Sequence, residues 1–193
     1  IVDARQSMYF EQVFRASYKS HLVRDDVKLA HYWFGTMNGS DGKPFKTRDG
    51  GVMSLDMLVS QVKEKLLAKL DKYTEEEKKN IADVLTVATI KYADLLPYRT
   101  TDFIFDIDKI TSFEGKTGPY VLYTMVRIKS ILDKVNIDNA SIKSIYSDTE
   151  RNIYIKLLEL AKTLTKAYNE KTLSYICEYL FDLCSLFNKF YGE

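Results

Sequence analysis

The sequence predicts a mainly α-helical chain whose first part is mixed. Three observations carry that expectation. From Ser54 onward apolar residues recur at the helical period, and most of the runs open on capping residues. Ahead of Ser54 lie one aromatic-rich stretch of strand character and a glycine-rich loop. The chain has 193 residues, 46% of them hydrophobic, which suits one large or two small domains with real cores.

A short apolar start, Ile1-Val2-Asp3-Ala4, precedes Phe10, Val13, Phe14, Tyr18 and Leu22 at helical spacing, which predicts a first helix. Leu29 to Phe34 reads as a strand. Gly35 to Gly51 then holds five of the chain's eight glycines, with Asn38-Gly39 and Asp41-Gly42 as turn signals, and has the composition of a mobile loop. Ser54 can cap a helix carrying Leu55, Leu58, Val59, Val62, Leu66 and Leu70 on one face. Thr74 with Glu77 makes a capping box for the next helix, which buries Ile81, Val84, Leu85, Ala88 and Tyr92. Pro97 ends it, and Thr101 to Asp106 reads as extended or irregular. Pro119 suits the first turn of a helix with Leu122, Met125, Ile128 and Leu132.

Ser147 with Glu150 is a second capping box, opening a run through Ile153, Leu157, Leu160 and Leu164. A final helix from about Thr172 puts Leu173, Ile176, Cys177, Leu180, Cys184, Phe187 and Tyr191 on one stripe. Its aromatic end, Phe187, Phe190 and Tyr191, asks for a further partner. With no Met before Ile1, the chain is expected to be a piece of something longer at both ends. The turn from Gly115 to Gly118 is the expected boundary between a mixed first half and a three-helix second half.

Composition excludes several classes. The apolar content and a net charge of +1, from 28 Lys+Arg against 27 Asp+Glu, rule out a disordered chain. The same balance leaves no global field for polyanions, so nucleic-acid contact must come from a few placed residues. No apolar run approaches the roughly 20 residues that span a bilayer. Asp3, Arg5, Glu11, Arg15 and Lys19 break any secretory-signal pattern. Cys177 and Cys184 lie two helical turns apart, about 10 Å, too far for a disulfide. They are expected as reduced core residues, which favours a reducing, cytoplasmic compartment.

The loop from Gly39 to Gly51 concentrates what a polyphosphate site needs. Lys43, Lys46 and Arg48 supply charge, Thr47 a hydroxyl donor, and the glycines let the backbone approach closely. A solvated hairpin loop is the other reading of the same residues. The Gly-Lys-Ser/Thr ending of a Walker loop is missing. His21 and His31 lack neighbours at metal-ligand spacing, so no metal site is expected. No nucleophile elbow and no nucleophilic Cys/His pair stands out. Asp102, Asp106, Asp108 and Glu114 read as caps and a solvated turn rather than as paired catalytic carboxylates. Tyr120, Tyr123 and Arg127 share a helix face at i, i+3, i+7. That face suits stacking on and hydrogen-bonding to single-stranded bases, or simply a core role for the tyrosines.

Several words of the sequence together resemble arginyl-tRNA synthetase. They are Asp3-x-Arg5-Gln6, Phe34-Gly35-Thr36-Met37-Asn38-Gly39 and the run from Gly42-Lys43-Pro44 to Gly50-Gly51. Lys91-Tyr92-Ala93-Asp94-Leu95, Arg99-Thr100-Thr101-Asp102-Phe103-Ile104-Phe105-Asp106 and Ser112 to Tyr120 follow in the family's order. Three positions depart from these words: Tyr9 replaces a usual histidine, Lys116 an asparagine and Leu122 a glutamine. The resemblance implies the end of a class I Rossmann-type catalytic domain followed by a helical-bundle anticodon-binding domain. Residues 1–53 would be the last part of the catalytic domain, 54–117 a helical connecting segment, and 118–193 the anticodon-binding domain.

The resemblance also implies an activity, an arginine–tRNA ligase using ATP with Mg2+ and taking arginine and tRNA(Arg) as partners, as a monomer. Gln6 would contact arginine. His31, Phe34, Gly35 and Met37 would border adenine. Lys46, Thr47 and Arg48 would stand in for the class I lysine-rich signature, placing cations on charge that develops at the phosphates. Tyr120, Tyr123 and Arg127 are the candidate tRNA contacts. The first class I signature, of the His-x-Gly-His type, is not in this sequence, so a C-terminal fragment inert by itself is expected. A free-standing helical RNA-binding module and a protein-interaction adaptor are the alternatives.

Overall fold

The computed structural model describes residues 1–39, 42, 54–135, 141 and 144–193. The expected phosphate-facing residues Lys46, Thr47 and Arg48 lie outside the described residues.

A 3-10 turn at Ala4–Gln6 leads into α1 (Ser7–Lys19). Asp3 caps the turn, its carboxylate accepting from the backbone N–H of Arg5 while pairing with the Arg5 guanidinium through two further bonds. The helix stops before Leu22: His21 takes a left-handed φ of 57°, and Leu22 is exposed. The expected strand from Leu29 to Phe34 is corrected, for no ladder forms there. Its flanks are held by single bonds from different directions, with the Val2 N–H donating to Tyr32 O and the Gly35 N–H to Arg99 O. Pairing begins only at β1 (Met37–Asn38), parallel to β2 (Phe103–Ile104), with Met37 opposite Phe103.

The helices follow as α2 (Leu55–Leu67), α3 (Glu75–Leu95), the short α4 (Ile107–Ile110) and α5 (Gly118–Leu132). The caps are those the sequence signals: Ser54 accepts from the Met57 N–H, and Thr74 with Glu77 forms a complete box. Thr117 caps α5 with Pro119 in its first turn. The main core gathers Leu58, Val62 and Leu66 of α2, Leu70 of the turn that follows it, Ala82 and Leu85 of α3, and Phe105. Three expected faces are displaced. Leu55 and Val59 of α2 are exposed, as is Val84 of α3. The buried stripe of α3 runs through Ala82, Leu85, Thr86, Thr89 and Tyr92, so threonines fill the position that an apolar count gives to Val84. On α5, Met125 and Leu132 are likewise exposed. This helix meets α3 backbone to backbone: a Cβ on Gly118 would stand 2.5 Å from Ala88 O.

The run expected as one helix from Ile153 to Leu164 is two, α6 (Asp148–Leu158) and α7 (Leu160–Glu170). Glu159 between them has ψ near −10°, a one-residue tightening that lets both helices lie against α8 (Ser174–Gly192). Lys156, just before the break, reaches Glu159 at 3.4 Å and Asp182 of α8 at 2.8 Å. α3 and α8 are joined where the buried Tyr92 hydroxyl donates to Cys177 O at 2.9 Å. Both cysteines are free, with Cys177 buried. No helix among the described residues is long and apolar enough to cross a membrane.

Candidate functional site

The segment from Arg99 to Phe105 clips onto Trp33–Asn38. Gly35 and Phe105 donate backbone N–H bonds to Arg99 O and Asn38 O, and Phe103 donates to Thr36 O. The Thr36 N–H in turn donates to Asp102 Oδ1 at 2.7 Å, and that bond holds the Asp102 carboxyl below its usual range. Gly35 approaches so closely that a Cβ there would lie 2.2 Å from Thr101 O.

Beside this seam opens a cavity of about 800 Å3. One wall comes from the first residues, where the Asp3–Arg5 pair sits; the hydrogen bond from Arg5 holds Asp3 at about 2. Phe34, Gly35 and Met37 form a second wall, Asp94 to Arg99 a third, and Lys171 to Leu173 of the helical bundle close the far side.

Three of the four expected adenine-side residues therefore meet at one cavity. His31 does not line it: its ring stacks on Phe10 at 5.0 Å, and Nε2 lies 3.3 Å from Val2 O. Gln6 is exposed at the start of α1 and is also off the cavity wall. Sequence reasoning missed Arg99, Lys171 and Thr172. Arg99 belongs to one of the recognisable words, but its partners stand more than sixty residues away, so no local pattern announces them.

The second expected constellation comes together at the α5–α8 contact. Arg127 donates to Asn188 Oδ1 at 2.7 Å and to the Tyr123 hydroxyl at 3.1 Å. Its guanidinium lies 4.8 Å from the ring centres of both Tyr123 and Tyr191. Asn188 Nδ2 donates to the Tyr120 hydroxyl at 3.0 Å and to Thr124 Oγ1 at 2.9 Å. Arg127 thus covers part of the aromatic end of α8, while Tyr123 keeps half of its surface open to solvent. Asn188 is the member that sequence reasoning missed. A lone asparagine in an apolar run carries no signal of its role. No group of three or more His, Cys, Asp or Glu among the described residues converges on a metal position.

Residues 1–107 match the family model for the catalytic domain of tRNA synthetases class I (R). The chain belongs to the class I tRNA synthetases (R). Within this synthetase chain, residues 121–193 match the DALR anticodon binding domain. An arginine–tRNA ligase of Agathobacter rectalis is 43% identical, covering 100% of this chain and 35% of that protein. One from Francisella tularensis is also 43% identical, over 99% of this chain and 34% of that protein.

Among solved structures, the arginyl-tRNA synthetase from Plasmodium falciparum aligns with a TM-score of 0.79 at 26% identity, over 99% of this chain and 34% of that one. The Thermus thermophilus arginyl-tRNA synthetase gives the same TM-score at 24% identity, over 100% and 32%. The synthetase chain described here spans about a third of the length of these relatives. Its mainly α fold, a class I catalytic end followed by a helical DALR domain, agrees with the architecture the sequence predicts.

Two of the three departures from the family words have visible settings. Lys116 pairs with Glu178 and lies 5.5 Å from the Phe181 ring centre, which fastens the start of α5 to α8. Leu122 packs against the main core, a place better suited to an apolar side chain than to an amide.

Proposed function

We propose that this chain is the anticodon-side third of an arginine–tRNA ligase working as a monomer in the cytoplasm. It would be inert on its own. In the reaction, the arginine carboxylate attacks the α-phosphorus of ATP, giving arginyl adenylate and pyrophosphate. A ribose hydroxyl of the terminal adenosine of tRNA(Arg) then displaces AMP and takes the arginine as an ester. The observation that carries this reading is the family match running from the first residue to the last helix, on a fold that brings Phe34, Gly35 and Met37 to one cavity.

Within this reading residues 1–53 end the catalytic domain, 54–117 form the connecting segment and 118–193 the anticodon-binding domain. Phe34, Gly35 and Met37, with His31 behind them, border adenine, and Gln6 contacts arginine. The cations of Lys46 and Arg48 with the Thr47 hydroxyl stabilise the charge that develops as pyrophosphate leaves. Magnesium would travel with ATP as part of the substrate. The described residues offer it no cluster of protein ligands.

Tyr123 offers an open ring face for a base. Arg127 holds that ring in place and supplies a fixed positive charge. Charging of tRNA(Arg) by the full gene product tests the assignment, and failure to attach arginine contradicts it. Binding of tRNA(Arg) and an unrelated tRNA to this chain over a salt series tests the RNA face. Equal, purely salt-driven affinities would sink specific recognition.

A further inference from the structure

Arg99 bonds in two opposite directions at once. On one side its backbone oxygen accepts from the Gly35 N–H at 2.8 Å, and Nη1 donates to Trp33 O. Its guanidinium also lies 5.6 Å from the Tyr32 ring centre and 5.7 Å from that of Trp33. On the other side its N–H donates to Thr172 Oγ1 at 3.2 Å, and Nε donates to Lys171 O at 2.9 Å. Lys171 ends α7 with a left-handed φ of 53°, so this is a helix corner, where carbonyls lack helical partners. The neighbouring Tyr98 hydroxyl reinforces the corner by donating to Glu170 at 3.2 Å.

We infer that Arg99 is a positioning residue that ties the α7–α8 corner to Trp33–Gly35, so that the helical bundle sets the placement of the cavity wall formed by Phe34 and Gly35. The inference rests on the ligase reading for its functional meaning, since that wall is the one assigned to adenine. Its geometry stands without that reading.

The chemistry demands arginine. Both side-chain acceptors are backbone carbonyls facing different nitrogens of one rigid plane, and an ammonium on a flexible stem cannot hold both in fixed geometry. Thr172 is the separable end of the tie. It is buried and hydrogen-bonds Arg99 and Ser174 but not Trp33–Thr36, so its loss reaches the hydrogen bonds of that wall through Arg99.

Amide hydrogen exchange of this chain tests the tie directly. Arg99→Lys and Thr172→Val should each speed exchange at Gly35 and Thr36 by about ten-fold, the loss expected for one such hydrogen bond. Exchange at Thr124 and Asn188 should stay unchanged. In the full gene product, the same variants should raise KM for ATP about ten-fold with kcat little altered, the mark of a displaced binding wall.

Unchanged exchange at Gly35 and Thr36 in Thr172→Val overturns the inference. Uniform acceleration at all amides does so too, because it reports global loosening. A gene product that charges no tRNA defeats the ligase reading, while the exchange arm, which needs no substrate, still decides the role of Arg99.

Discussion

At Gly35 the backbone of Thr101 occupies the space a side chain would need, with its oxygen 2.2 Å from the place of a Cβ. The glycine therefore has a packing role in addition to the nucleotide-side role proposed for it. Gly35→Ala should lower stability by about 1–3 kcal/mol, read as a depressed midpoint in chemical denaturation. The sequence shows the glycine but not its neighbour, which lies sixty-six residues along the chain. The buried titratable groups give a second residue-scale expectation. Burial pushes the Cys177 thiol up to about 11 and raises Cys184 and Tyr92 as well. A raised pKa means that the folded state keeps its proton where the unfolded chain has lost it. The stability that the buried Cys177 thiol contributes is therefore complete below pH 9 and falls as pH rises through 9 to 11. Cys177→Ala should flatten that alkaline fall in thermal melts; identical slopes in both proteins would count against the assignment.

Among the elements, those that announce their own ends were the most legible. The boxes at Thr74–Glu77 and Ser147–Glu150 start α3 and α6 where the sequence places them, because a cap is a local hydrogen-bond arrangement over four residues. Thr74→Ala should cost about 1 kcal/mol, measurable as a loss of helicity at lower temperature on melting. Faces were less legible than ends. Val84 points outward because Thr86 and Thr89 fill the buried stripe, and the methyl of a threonine is invisible to an apolar count. The Glu159 break has no proline or glycine to mark it. Both short segments on either side of it pack on α8, a long-range contact that no local word records. The Leu29–Phe34 stretch has strand composition without a ladder, since its flanking bonds run to Val2 and Arg99 instead of to a neighbouring strand.

Across the whole molecule, three of the polar contacts that join the first helices to the bundle show how unequal such contacts are. They are Tyr92 with Cys177 O, Lys116 with Glu178, and Arg99 with the Lys171–Thr172 corner. The first is buried, so Tyr92→Phe should remove that second bond to the Cys177 carbonyl, which lies within α8, and cost about 1 kcal/mol. The Lys116 pair is half exposed and should contribute little. The candidate sites were legible unevenly at this scale. Phe34, Gly35 and Met37 stood out as a sequence word, but the cavity's far wall comes from a helix corner more than 130 residues away.

On the proposed function, these two joined parts belong to an arginine–tRNA ligase and cannot catalyse alone. Arginine-dependent ATP–pyrophosphate exchange, measured with tRNA(Arg) present on the full gene product and on this chain, tests it most directly. Exchange is expected from the full product with arginine but not with lysine, and none from the 193-residue chain. A full product that exchanges no pyrophosphate with arginine, or a chain that does so by itself, would contradict it.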